Sequence, residues 1–281
     1  MTPFIEFWQH IPEHINPVFL TLGPLSIRYY GLMFMLSIVV TYWVALYGLR
    51  PGSPYSREKI DDYFVRAAIG VLLGGRLGYV LFYHFDYYLH NPLEIILPFD
   101  LQTGRFIGIS GMSYHGGLLG VIVMSYFFTR KEKIPFLKWI DFVMPAVPAG
   151  YTFGRIGNFL NGELFGRVTA RWWGMYFPSD AAGLLRHPSQ LYEAFFEGII
   201  LFLFLWQQRH KQPFQGYLLS VYLMAYGLIR FMIEFTREPD AHLGLVAGPF
   251  SMGQVLCMVM MAAGAALFFF RRTNPSGNKP A

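Results

Sequence analysis

The chain has 281 residues, 54% of them apolar, 19% aromatic and only 14% charged, with a net charge of +5. Soluble domains carry about 25% charged residues, so this composition excludes an ordinary soluble fold and points to an all-α integral membrane protein. The positive charge is modest and spread over loops, which argues against nucleic acid as a partner, and the single cysteine, Cys257 in an apolar run, excludes a disulfide framework, a cysteine metal site and a thiol nucleophile.

No lysine or arginine precedes Arg28, so the N-terminus lacks the basic region of a signal peptide and uncleaved spans are expected to hold the protein. Crossing the hydrocarbon core takes about 20 mainly apolar residues in a helix. Seven segments are candidates: 28–49, 63–84, 114–130, 141–160, 190–207, 216–236 and 250–270. The third is short, while the second, fourth and sixth carry Arg66 and Arg76, Arg155, and Arg230. Glycines at every fourth position (Gly70, Gly74 and Gly78; Gly116 and Gly120; Gly150 and Gly154) predict tight helix packing. Pro145 and Pro148 predict a bend or local opening in the fourth span.

Loop charge sets the expected orientation. Arg50, Arg57, Lys59, Arg130, Lys131, Lys133, Lys138, Arg209, Lys211, Arg271, Arg272 and Lys279 fall on one side; Arg105, Arg167, Arg171, Arg186 and Arg237 fall on the other. That places the N-terminus outside and the C-terminus in the cytoplasm, with loops 85–113, 161–189 and 237–249 facing outward. Residues 85–113 read as an interfacial arm. Residues 161–189, with Trp172, Trp173, Tyr176 and Phe177, read as a small extramembrane head. Residues 1–272 are expected to form one transmembrane domain and 273–281 a disordered cytoplasmic tail. The lack of an internal repeat counts against a transporter built from inverted halves.

The stretch from Gly154 to Arg167, GRIGNFLNGELFGR, is the most informative. An arginine at bilayer depth is costly, so Arg155 is expected to face the protein interior or a wet cavity. Glycine lets the backbone come close and the guanidinium fork matches phosphate, which makes an anion site of this stretch. The structural alternative is snorkelling or an ion pair. It weighs most for Arg230, because Glu234 lies one turn later on the same face and Arg237 one turn beyond. His115, in SGMSYHGGLLG, is either a proton acceptor near neutrality or a structural histidine at a helix end. His84, His90, His187 and His242 lack the spacing of a zinc site, so no metal is expected. Ser189 reads as the N-cap of the fifth span with Glu193 in its first turn, and Tyr29 and Tyr30 as interface-belt tyrosines.

GRIGNFLNGELFGR resembles the signature of the prolipoprotein diacylglyceryl transferase family. RYYGLMFML, GGRLGYVLFYHF, GMSYHGGLLGVIV, RHPSQLYEAFFEG, AYGLIRFMIEFTREPD and SMGQ resemble the same family, in order, across about residues 23–260. The resemblance implies a seven-span enzyme of the bacterial cytoplasmic (inner) membrane, without metal or cofactor. It would transfer the diacylglyceryl group of phosphatidylglycerol to the lipobox cysteine of a prolipoprotein signal peptide, the first step of lipoprotein maturation. The products would be a thioether and glycerol 1-phosphate, formed toward the periplasmic side of the bilayer. Carried over by motif, His115, Arg155, Arg230, Glu163 and Glu234 are the implied catalytic residues. Arg155, Asn158, Tyr30, Gly166, Arg230, Tyr226 and Arg237 are the implied phosphatidylglycerol contacts. His115 is the expected base for the thiol, with Glu163 or Glu234 able to share that task. An anionic-lipid transporter and a non-catalytic scaffold for signal peptides are the competing classes.

Overall fold

The apolar runs become helices in the computed structural model, which describes residues 2–23, 25–50, 53–97, 111–238 and 245–273. In chain order they are α1 (Pro3–His10), α2 (Tyr29–Tyr47), α3 (Arg57–Tyr83), α4 (Phe85–His90), α5 (Tyr114–Lys131), α6 (Phe136–Val143), α7 (Ala146–Leu160), α8 (Ser189–Gln208), α9 (Tyr217–Ile233) and α10 (Met252–Thr273). Two short antiparallel hairpins accompany them, β1 (Val18–Leu22) with β2 (Leu25–Arg28) and β3 (Leu245–Ala247) with β4 (Phe250–Ser251). Arg105, His242, much of the expected arm and the tail beyond Thr273 lie outside the described residues.

Among the described residues five helices are long and apolar enough to cross a membrane: Tyr29–Tyr47, Arg57–Tyr83, Ser189–Gln208, Tyr217–Thr236 and Met252–Thr273. The segments 114–130 and 141–160 do not reach that standard by themselves. The second of them breaks at Met144–Pro145 into α6 and α7, because Pro145 has no N–H to continue the ladder. Pro148 falls in the first turn of α7, where a missing N–H costs little. With 15 residues, α7 is about 22 Å long, short of a hydrocarbon core of about 30 Å.

The chain forms two compact units, one from residues 1–48 and 140–281 and the other from 49–139. In the second unit α3 starts at Arg57, six residues before the expected boundary of 63. Its charged first turns continue the helix because the Ser56 hydroxyl accepts from Lys59 N and the charges are paired. Asp62 takes Arg66 at 2.9 Å and Lys131 at 3.2 Å, and Lys59 reaches Glu132 at 3.3 Å. Helices α3 and α5 meet along the predicted glycine seam. A methyl on Gly70 would run into the Gly120 carbonyl and one on Gly74 into that of Gly116. Arg76 joins α3 to the start of the arm, donating to the carbonyls of Ile95 at 2.8 Å and Glu94 at 2.6 Å.

In the first unit α7 packs on α2, with Gly150 against Thr41 and Ser37. Helix α8 widens into a π-helical stretch over Glu193–Ile200, pressed at Gly198 against Thr152 of α7. The packing reading fails at Gly154, where a side chain would find nothing within 4 Å. Residues 161–188 wrap Phe159, Met175 and Phe177 into a small core with Trp8 and Ile11 packed on it. Helix α1 is tied to that core by Trp8 Nε1 donating to the Trp173 carbonyl at 3.0 Å and Gln9 Nε2 to that of Trp172 at 3.1 Å.

Candidate active site

Arg155 and Arg230 come from different helices, α7 and α9, and meet on one carboxylate. Glu193 Oε2 lies 2.9 Å from Arg155 Nε, and Glu193 Oε1 accepts from Arg230 NH1 at 2.6 Å and from Arg237 NH1 at 2.6 Å. The side chain of Glu193 is fully buried, while the three arginines keep 19%, 16% and 17% of their side-chain surface exposed. Each arginine side chain therefore keeps some accessible surface while the carboxylate it shares has none. Breaking such a pair from one side would leave an uncompensated buried charge, so each partner fixes the rest.

The sequence reading of the fifth span's entry is corrected here. Pro188, not Ser189, occupies the cap position, and the Ser189 hydroxyl donates instead to the Leu164 carbonyl at 2.9 Å. Glu193 is not a capping residue; it is the point where three guanidiniums converge. One turn on, Glu197 is equally buried and accepts the Tyr151 hydroxyl, which itself accepts from Arg155 Nε at 2.7 Å. Sequence reasoning missed Glu197 and Tyr151. The available signal was two acids four residues apart inside an apolar run, the spacing that puts both on one helical face. That both stand on π-helical turns fits the frequent use of such turns at functional sites.

The expected pairing of Arg230 with Glu234 is present at 3.1 Å, and Arg237 lies 3.6 Å from the same oxygen. Glu234 also accepts the Ser251 hydroxyl at 3.0 Å. On the α7 side Arg155 NH1 donates to Asn158 Oδ1 at 3.3 Å. Asn158 and Asn161 then give their amides to the two oxygens of Glu163, each at 2.8 Å. The signature thus closes a chain from Arg155 through Asn158 to Glu163. Tyr30 stands exposed at the start of α2 beside Gly157 of α7. Tyr226 of α9 stacks on Tyr222 and meets Tyr151 edge-on with ring centroids 6.0 Å apart.

Gly166 reaches the cluster through the backbone. It pairs with Arg237 in an antiparallel bridge, and its N–H goes to the His187 carbonyl at 2.8 Å. Arg167 N donates to the Thr236 carbonyl at 2.8 Å and Arg167 Nε to that of Arg237 at 2.6 Å. Any side chain at 166 would collide with the Thr236 carbonyl, so only glycine lets the two strands approach. His115 belongs to the other unit. It stands in the first turn of α5, capped by the Ser113 hydroxyl accepting from Gly116 N at 3.2 Å, with its exposed ring edge-on to Tyr114.

Outside the helices, Arg186 binds Asp180 with two donors, Nε at 2.8 Å and NH2 at 3.0 Å, which holds the Asp180 carboxyl below its ordinary range. His187 is pushed down by burial and by the charge of Arg171, so its neutral ring is favoured.

The sequence profile of a family described as prolipoprotein diacylglyceryl transferase matches residues 17–270. A phosphatidylglycerol–prolipoprotein diacylglyceryl transferase of Chlorobaculum tepidum is 49% identical over 275 residues, covering 97% of this chain and 95% of its own. Proteins of the same name from Bordetella parapertussis, 47% identical over 264 residues, and Campylobacter lari, 44% over 271, cover 93% and 95% of this chain and 97% and 98% of their own. The chain belongs to the prolipoprotein diacylglyceryl transferase family.

Proposed function

We propose that this protein transfers the diacylglyceryl group from phosphatidylglycerol to the lipobox cysteine thiol of a prolipoprotein. The observation that carries the reading is the convergence of Arg155 and Arg230 on Glu193, with part of each arginine side chain still accessible. The thiolate attacks the glycerol carbon that bears the phosphate ester, the C–O bond breaks, and its electron pair leaves with glycerol 1-phosphate. Negative charge grows on the departing phosphate, and preorganised donors aimed there lower the barrier most in a site of low dielectric. Arg155 and Arg230 fill that role, with Arg237 beside them. Asn158 orients the headgroup, and Tyr30 and Tyr226 flank it. Gly166 acts through the strand that seats Arg237.

A cysteine thiol is mostly protonated at about pH 7, so a base must take its proton. His115 is the assigned base. Glu234 is engaged by Arg230, Arg237 and Ser251, which suits it to hold the arginines rather than to accept the thiol proton. Glu163, bound by two amides, is the second candidate.

The same reading includes seven spans, with the N-terminus periplasmic and the site toward the periplasmic face of the cytoplasmic membrane. It rests on the distribution of basic residues, which favours cytoplasmic placement of loops such as 130–138. The test is incubation of the purified protein with phosphatidylglycerol and a lipobox peptide. Thioether formation with release of glycerol phosphate is expected. Lipid movement between leaflets without a thioether would favour the transporter class, and peptide binding without either would favour the scaffold.

A further inference from the structure

The buried acids around Arg155 and Arg230 are held unequally. Glu193 meets three guanidiniums at 2.9, 2.6 and 2.6 Å. Glu234 has two, at 3.1 and 3.6 Å, and a serine hydroxyl. Glu197, with no exposed surface, has the Tyr151 hydroxyl and a single guanidinium, Arg230 NH1, at 3.8 Å. One oxygen of each acid (Glu193 Oε2, Glu197 Oε1 and Glu234 Oε2) accepts no hydrogen bond, so the inequality lies in the guanidiniums that reach them.

Charge makes this inequality matter. The groups joined by direct ion pairs are three guanidiniums (Arg155, Arg230, Arg237) and three carboxylates (Glu193, Glu197, Glu234), so the cluster is neutral when all are ionised. A phosphodiester docked on it adds one negative charge in a poorly screened place, where like charges repel strongly. A buried carboxylate in that position takes a proton rather than stand unpaired.

We propose that Glu197 is a positioning residue that takes up one proton when the phosphodiester of the lipid docks on Arg155 and Arg230, with the Tyr151 hydroxyl linking Glu197 to Arg155. This rests on the phosphate-binding reading above and deepens it. The groups that act on Glu197 are Glu193 on its own helix, Tyr151 and Arg155 from α7, Arg230 from α9, and the Cys257 thiol of α10. Tyrosines and thiols are neutral at about pH 7, and Glu193 and Glu234 are held by two or more guanidiniums. Glu197 is left as the acid whose neutralisation disturbs the fewest contacts. Once neutral, it no longer competes for Arg230, which then faces the phosphate as its charge grows.

The experiment is calorimetric titration of the full-length protein in non-ionic detergent with dihexanoyl phosphatidylglycerol, in buffers of different ionisation enthalpy between about pH 6 and 8. Wild-type protein is expected to take up close to one proton per lipid bound, with affinity weakening by up to tenfold per pH unit on the alkaline side, as one linked proton requires. Glu197→Gln, neutral and of the same shape, is expected to bind lipid with no proton uptake and an affinity independent of pH. Wild-type binding without proton uptake overturns the proposal. So does Glu197→Gln with wild-type uptake, or a variant with an unchanged melting midpoint that no longer binds. If the variant does not fold, the wild-type titration decides alone. Failure of the wild type to bind the lipid at all would instead defeat the phosphate-binding reading.

Discussion

The carboxylate of Asp141, in α6, accepts the backbone N–H of Gly216, 75 residues later in the chain, at 2.6 Å and caps the helix that begins at Tyr217. The same carboxylate takes Tyr217 N at 3.1 Å and Leu219 N at 3.0 Å. Gly216 itself sits at φ 92°, a conformation glycine adopts without strain. A buried acid thus satisfies the free amides at the start of the helix that carries Arg230. Asp141→Ala should cost about 3 kcal/mol, since it strands several buried donors at once. Asp141→Asn, which keeps an acceptor, should cost less. Thermal melting in detergent measures both; equal midpoints for wild type and Asp141→Ala would remove this role.

Arg155→Ala should lower thioether formation by about 100-fold or more, by analogy with the loss of one oxyanion donor. Arg155→Lys should restore only part of it, because a lysine cannot supply the planar fork. Turnover within a few fold of wild type in Arg155→Ala, at equal membrane levels, would reject the phosphate role.

Arg230 touches Glu193, Glu197 and Glu234, so its loss should cost stability as well as the activity proposed for it. Arg230→Ala should cost about 3–5 kcal/mol, the usual penalty for breaking a buried pair from one side. Changing Glu193 to glutamine in the same chain should recover some of that stability without recovering activity. A double variant no more stable than Arg230→Ala would show that the buried charge is not the cause.

The α3–α5 seam makes a prediction free of chemistry. Gly74 and Gly116 touch through backbone, so no rotamer change can relieve an added methyl group. Either Gly74→Ala or Gly116→Ala should destabilise by about 1–3 kcal/mol, the range for overpacking. Gly154→Ala, where the space is open, should leave stability in thermal melting unchanged or raise it by up to about 1 kcal/mol.

Helix existence was legible from apolar run length, and the glycine seam from its four-residue period. The Pro145 break was legible too, since a missing N–H acts locally. Boundaries were harder. Residues 57–62 look like a loop by charge, yet they are helical because Asp62 and Glu132 balance the cations. At the site, Arg155 and Arg230 stand out because lone charges in apolar runs are costly. Glu193 was visible but read as a cap, because position within a helix is local information and the three arginines that reach it are 37 to 44 residues away. Tyr151 carries no local signature, and the four-residue spacing of Glu193 and Glu197 marks only a shared helical face; the link between Tyr151 and Glu197 depends on α7 and α8 lying side by side.

Acid should loosen the segment around Asp180. Arg186 holds this carboxyl below its ordinary range. A depressed carboxyl contributes stability that is present above the pKa of an unfolded aspartate, about 4, and lost as pH falls through the lower folded value. Proteolysis within 161–189 should therefore quicken on acidification below about pH 4. Asp180→Asn should be cut faster than wild type near neutrality and show a smaller acid response. An unchanged acid response in that variant would assign the effect elsewhere.

Arg237 is fastened twice, its main chain to Gly166 and Arg167 and its guanidinium to Glu193. Position 237 therefore borders both the 161–189 segment and the buried carboxylate, so a substitution there that disturbs the backbone bridge and removes the guanidinium is felt in both places at once.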